Sequence, residues 1–240
     1  MRALAASDVL ALWERGAQRH ALDRSALLCA WARPELPADA IVDLPLGAVT
    51  ASLLHLREAS FGARIHCHVD CQICGERLEL DLLTPELLQP MAREESPREV
   101  DVPGLRVRAP CLRDLAAVAH EADADLAARQ LLARCALNDS DGDRDGLAVL
   151  SDATLREVED ALEALDPNAD LALDVHCAAC GHSGMAQLDA GALLWDEIDA
   201  RARALLGEVH ALARAYGWTE GEILGLGAAR RATYLAMATQ

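Results

Sequence analysis

Two short cysteine motifs constrain this chain more than any other feature. Cys71-Gln-Ile-Cys74-Gly and Cys177-Ala-Ala-Cys180-Gly are near copies of each other, separated by 102 residues. A Cys-x-x-Cys-Gly turn aims two sulfurs at one point. Its glycine permits the tight geometry that brings backbone N–H groups towards the sulfur. Two such turns supply four thiolates, the ligand set of a closed, tetrahedral structural zinc site. Cys71, Cys74, Cys177 and Cys180 are therefore the expected ligands of a structural Zn²⁺.

The flanking residues place both turns between strands. Ile65, Cys67, Val69 and Cys71 alternate with Arg64, His66, His68 and Asp70, and Leu78, Leu80 and Leu82 alternate on the way out. Leu171, Leu173 and Val175 lead into the second motif, and Met185 to Leu188 supply a return strand. Period 2 is the signature of a half-buried strand. Compact zinc ribbons space their pairs by roughly 15–20 residues. Stretching that loop to 102 residues costs on the order of 1.5 kcal/mol more in closure entropy. Structural zinc contributes roughly 10–16 kcal/mol, so the spacing is no obstacle.

Other readings of the cysteines stay open. The four thiols could be two reduced pairs packed in a core. A thioredoxin-like redox pair would need its motif to open a helix, whereas both motifs here lie between strands. Cys67-x-x-x-Cys71-x-x-Cys74 has the cysteine spacing of radical-SAM enzymes, in which three thiolates hold an iron–sulfur cluster. That reading leaves the second pair unexplained. His66, His68, His176 and His182 flank the motifs as polar strand positions, any of which could replace a sulfur ligand. Cys29, Cys111 and Cys135 read as core thiols.

Composition narrows the function classes. The formal net charge is −17, from 39 acidic and 22 basic residues, and every basic residue is Arg. Such a surface repels phosphate backbones and anionic lipid, so neither nucleic acid nor a membrane is an expected partner. Without Lys there is no phosphate-loop lysine and no Schiff base. No run of 18 apolar residues and no secretory leader is evident, which predicts a cytoplasmic protein with thiols or metal ligands in place of disulfides. Hydrophobic residues reach 52% but aromatics only 3%, a Leu/Ala/Val/Ile balance that favours helix.

The expected fold is mainly α with a small β zinc ribbon. Residues 1–62 form an N-terminal helical part, with Ser7-Asp8 capping its first helix. Residues 63–82 and 170–189 form the ribbon from two knuckles. Residues 83–169 are a mostly helical insertion, with a hairpin around Pro103-Gly104 and a helix capped at Ser151 or Thr154. Residues 190–240 form a C-terminal helical part, and all four make one compact unit. Leu194, Ile198, Leu205, Val209, Leu212 and Tyr216 mark one face of a long helix closed by Gly217, and Thr219-x-x-Glu222 is a capping box. Asp141-Gly-Asp143-Arg-Asp145-Gly resembles half of a calcium loop, so a calcium-regulated adaptor is one alternative. No catalytic constellation or small-molecule substrate is expected.

Several longer stretches resemble a known family. They are Leu54-His-Leu-Arg-Glu-Ala-Ser-Phe61-Gly62, Asp166-Pro-Asn-Ala-Asp170, Trp195-Asp-Glu-Ile198, the run from Val209 through Trp218 to Ile223, and Arg230-Arg231-Ala-Thr-Tyr234-Leu. Together they resemble the zinc-ribbon-bearing branch of the T-even-type phage baseplate hub assembly chaperones and their relatives in contractile injection systems. The resemblance covers about residues 45–82 and 163–238. It implies a non-enzymatic role in building the baseplate or hub of a contractile particle, with other baseplate and tail subunits as partners. The protein would either leave after assembly or be retained in the particle.

Overall fold

Apolar residues at helical spacing build most of the molecule. The computed structural model describes residues 2–88, 99–102, 105–137 and 152–238. The N-terminal part is four helices, α1 (Ala6–Gly16), α2 (Ala21–Ala32), α3 (Ala38–Val42) and α4 (Leu46–Phe61). Strands β1 (Arg64–Asp70) and β2 (Arg77–Leu83) follow, then a single turn α5 (Thr84–Leu87). The insertion holds β3 (Glu99–Val102), β4 (Leu105–Arg108), α6 (Leu112–Val118), α7 (Ala124–Cys135) and α8 (Asp152–Leu165). Strands β5 (Ala172–His176) and β6 (Ser183–Gln187) precede α9 (Ala190–Tyr216), α10 (Glu220–Leu224) and α11 (Ala228–Ala238). The protein is thus mainly helical, with three two-stranded antiparallel sheets among the described residues.

The 27-residue α9 is the spine. Leu194, Ile198, Ala202 and Leu205 pack with Leu12, Leu28, Leu54 and Leu56 from the N-terminal helices in the principal core. Polar contacts lock the same faces. The buried Arg57 of α4 grips the Glu197 carboxylate of α9 at 2.7 and 3.0 Å, and Trp13 Nε1 donates to Asp199 at 2.6 Å. At the far end, buried Arg231 of α11 pairs with Glu208 and donates to the Leu226 carbonyl. No described helix is long and apolar enough to cross a membrane.

A second, smaller core lies in the insertion, where Val107, Leu132, Leu155 and Val158 are buried together. Its joint to the body is both apolar and polar: Leu112 of α6 is buried in the principal core, and several hydrogen bonds lie around it. The Leu46 N–H donates to the Pro110 carbonyl at 3.0 Å, and Arg113 pairs with Asp43 at 2.6 Å. Beside them the 1%-exposed Asp114 accepts from Arg108 at 2.7 and 3.0 Å, Arg134 at 3.2 Å and the Cys111 N–H at 3.1 Å.

Two expectations need correction, and a third falls partly outside the described residues. The first helix begins at Ala6, and Asp8, in its first turn, reaches back to the Ala5 N–H at 2.9 Å; Ser7-Asp8 does not precede the helix. Helix α8 begins at Asp152, so Thr154 lies inside its first turn, while Ser151 falls outside the described residues. Tyr216 is 37% exposed, because the last turn of α9 runs past the N-terminal helices and stacks on Trp218 instead. Gly217 does close α9 in the left-handed conformation, and Thr219 and Glu222 form the expected capping box.

Candidate metal centre

Both cysteine motifs fold the same way because the same residues occupy the same turn positions. In the first, the Cys71 N–H donates to the Glu76 carbonyl and the Gly75 N–H to the Cys71 carbonyl, each at 2.8 Å. In the second, the Cys177 N–H donates to His182 and the Gly181 N–H to Cys177, again at 2.8 Å. Gly75 and Gly181 share a φ of +73°, in the left-handed region where a Cβ is disfavoured. Strands β1 and β2 hold the first turn in register from Arg64–Leu83 to Asp70–Arg77. Strands β5 and β6 hold the second from Ala172–Gln187 to His176–Ser183.

The two turns face each other across the 102-residue gap. The Sγ atoms of Cys71 and Cys180 are 3.7 Å apart, and those of Cys74 and Cys177 are 3.6 Å apart. All four sulfurs lie within 4.8 Å of one another. A disulfide would need about 2.05 Å. A tetrahedral thiolate site with bonds of about 2.3 Å places its sulfurs about 3.8 Å apart, so the donors present fit a metal ion held by Cys71, Cys74, Cys177 and Cys180. Cys71 and Cys177 are buried, while Cys74 and Cys180 are exposed at the turn tips.

The electrostatics show why such a cluster calls for a cation. The backbone N–H groups of Cys74 and Ile73 converge on the Cys71 sulfur and hold its thiol down to about 6. The Glu76 N–H favours a thiolate at Cys74 too. Its contact with the Cys180 thiol, the crowding of the cluster and its contacts with Cys177 and Cys71 outweigh that pull and drive Cys74 up to about 12. The His182 N–H and Cys74 pull the Cys180 thiol down, but the crowding of the cluster and its contacts with Cys177 and Cys71 leave it raised. One thiolate forms readily and further negative charge at the same point is resisted; a bound dication removes that resistance. Four protein ligands leave no open coordination position, so the cluster is suited to cross-linking and not to activating water.

The remaining sequence candidates fall elsewhere. Cys67 is half-buried and packs against the principal core, away from the gathered thiols, so the triplet needed for an iron–sulfur cluster is not assembled. His66, His68 and His176 are exposed on the strands, and His176 Nδ1 lies 3.0 Å from Ser183 Oγ. Cys29, Cys111 and Cys135 are buried, and burial raises all three thiols. Asp141, Asp143 and Asp145 lie outside the described residues.

Two further side-chain groups lie apart from the cysteine cluster. Asp166, in the loop before β5, accepts the Gly47 N–H at 2.8 Å and so caps α4 from 119 residues away. Burial pushes its carboxyl up, against the pull of that N–H. A Cβ on Gly47 would lie 1.9 Å from Asp166 Oδ1, so the close approach requires glycine. Tyr216 stacks on Trp218 at a centroid separation of 4.6 Å, and Tyr234 meets Trp218 and Tyr216 edge-on at 4.9 and 5.6 Å, outside both cores. Comparison of the chain with protein-family models, curated proteins and solved structures returned no match.

Proposed function

We propose that this chain is a non-enzymatic, zinc-stabilised assembly chaperone or structural component of the baseplate or hub of a contractile phage tail or contractile injection system. Its partners are other baseplate and tail subunits, met in the cytoplasm and, if the protein is retained, in the assembled particle. The two knuckles form a zinc ribbon, with Cys71, Cys74, Cys177 and Cys180 as the ligands. An all-thiolate tetrahedral set suits zinc, which would supply a cross-link and no chemistry.

The observation that carries this reading is the way the resembling stretches meet. Arg57, from the stretch ending at Phe61-Gly62, grips Glu197 of the Trp195–Ile198 stretch. Asp166 of the Asp-Pro-Asn stretch caps α4. Arg231 of the Arg-Arg motif is buried on Glu208, and Tyr234 packs edge-on to Tyr216 and Trp218. The stretches that carry the likeness contact one another or cap one another's helices in this fold, as expected if they descend from one scaffold. They are also consistent with a rigid scaffold whose surfaces, and not an enclosed reaction site, do its work.

Two measurements test this. Metal analysis of native protein is expected to give one zinc per chain and no colour; iron with sulfide and a brown colour would favour the cluster-bearing enzyme. Affinity isolation against baseplate and tail-tube subunits is expected to recover at least one of them, and a deletion strain to make defective particles. Normal particles together with no captured subunit would overturn the assembly role.

A further inference from the structure

The outer face of the β1–β2 ribbon carries a second set of metal-binding side chains, independent of the four thiols. Strand parity sends Ile65, Cys67 and Val69 inward and leaves His66, His68, Glu79 and Asp81 exposed on the opposite face. The register sets His66 directly across from Asp81, and His68 directly across from Glu79. Two imidazoles and two carboxylates therefore occupy the corners of one rectangle. Its long side is about 7 Å, two residues of strand rise, and its short side about 5 Å, the separation of opposed Cβ atoms. The centre is then about 4 Å from every Cβ, within reach of an imidazole or carboxylate plus a metal bond of about 2 Å.

The surroundings fit a cation. His66 Nδ1 already contacts the Asp81 carboxylate, the imidazole–carboxylate pairing that orients metal-binding histidines. The four side chains line one shallow concavity with Arg77, whose guanidinium is turned to Asp70. Among the described residues, the four thiols are the group whose donors already lie within 4.8 Å of one another. The ribbon site would assemble by rotating exposed side chains, with no movement of the backbone.

We propose that His66, His68, Glu79 and Asp81 form a second, solvent-open site for a borderline divalent cation such as Zn²⁺, in which both imidazoles and at least one carboxylate bind and water fills the remaining positions. The donor set distinguishes it from the knuckles. Nitrogen and oxygen ligands suit zinc, nickel and cupric ions without the selectivity of four thiolates for soft metals.

The test uses full-length protein loaded with one zinc at the thiols, titrated with Zn²⁺ by calorimetry. One further equivalent is expected at micromolar affinity. His68→Gln and Glu79→Gln should each weaken that second event by about tenfold or more while the first zinc stays at one per chain. His210→Gln, an exposed histidine on α9, should leave it unchanged. No second event below millimolar zinc, or one that survives loss of His68 and Glu79, would overturn the proposal. Should either variant disturb the ribbon, NMR of the unaltered chain decides. The ring signals of His66 and His68 must shift with the second equivalent, and rings that stay put would refute the site.

Discussion

In the helical body Leu12, Leu28, Leu54, Leu56, Leu194, Ile198 and Leu205 are removed from solvent almost completely. The two ribbons differ. Every second residue of β5 and β6 is exposed, and none of their side chains is fully buried. An isolated two-stranded hairpin is marginal in water, because so little apolar surface leaves it on folding. The body can hold its shape by burial, whereas the ribbons bury little beyond Ile65 of β1 and stand to gain most from a bond at their tips. A metal ion held by the four thiols would provide that bond, and would join the end of the N-terminal helices to the start of the C-terminal spine.

The comparison predicts that the two regions fail under different insults. The largest effect should come from the thiols. Cys177→Ser is expected to abolish metal retention and lower unfolding free energy by about 4 kcal/mol or more, since structural zinc contributes roughly 10–16 kcal/mol. Metal per chain and the denaturant midpoint check both halves. Removing the metal with a chelator under reducing conditions should reproduce the effect in the unaltered chain. A metal-free variant with an unchanged midpoint would mean that the ribbons stand without the cross-link.

Next comes the body. Leu194→Ala deletes a fully buried side chain from the centre of α9 and should cost about 2–5 kcal/mol. Unlike the cysteine variant, it should keep its metal in full, as metal analysis of the folded fraction would show. If Leu194→Ala also released metal, burial and cross-link would form one cooperative unit and the distinction would fail.

How legible each region is in the sequence follows from the same difference. The ribbons are local: period 2, a glycine and two cysteines spell out each hairpin within about fifteen residues, so strands and knuckles stand where the alternation places them. Helix α9 is equally readable from its apolar spacing. What is hidden depends on partners far away in the chain. Nothing near Gly47 announces that Asp166 will cap α4, and nothing near Arg57 names Glu197. The N-terminal cap is ambiguous in the sequence because Ser7 and Asp8 are both good capping residues, while Asp8 works from the third position of the helix instead of ahead of it. Tyr216 continues the apolar period of α9, yet the spacing cannot say where the opposing helices stop.

One such hidden contact gives the third effect. Gly47→Ala would drive a methyl group into the Asp166 carboxylate, which lies 1.9 Å from the position of that carbon. The expected loss is up to about 3 kcal/mol, the range for overpacking, read from the thermal midpoint. Asp166→Ala in the same background should recover part of it, because the clash disappears with the carboxylate. Failure of that rescue would show that the cost arises elsewhere in α4.

The smallest effect concerns the joint between body and insertion, where the buried carboxylate of Asp114 lies beside Leu112, itself part of the principal core. Burial alone would raise the Asp114 carboxyl, but hydrogen bonds from Arg108 and from Cys111 outweigh it and hold the group down to about 2. A carboxyl whose value is lower in the folded state than in the unfolded chain stabilises the fold above its unfolded value of about 3.9. That contribution drains away as pH falls through the folded value. The shift corresponds to at most about 2.5 kcal/mol. Unaltered protein should therefore exceed Asp114→Asn in stability by up to that amount at neutral pH. The gap should narrow between about pH 4 and pH 2, as followed by denaturant unfolding across the acid range. A gap that stays constant with pH would assign the joint to packing around Cys111 and Leu112 and return the insertion to the same class as the helical body.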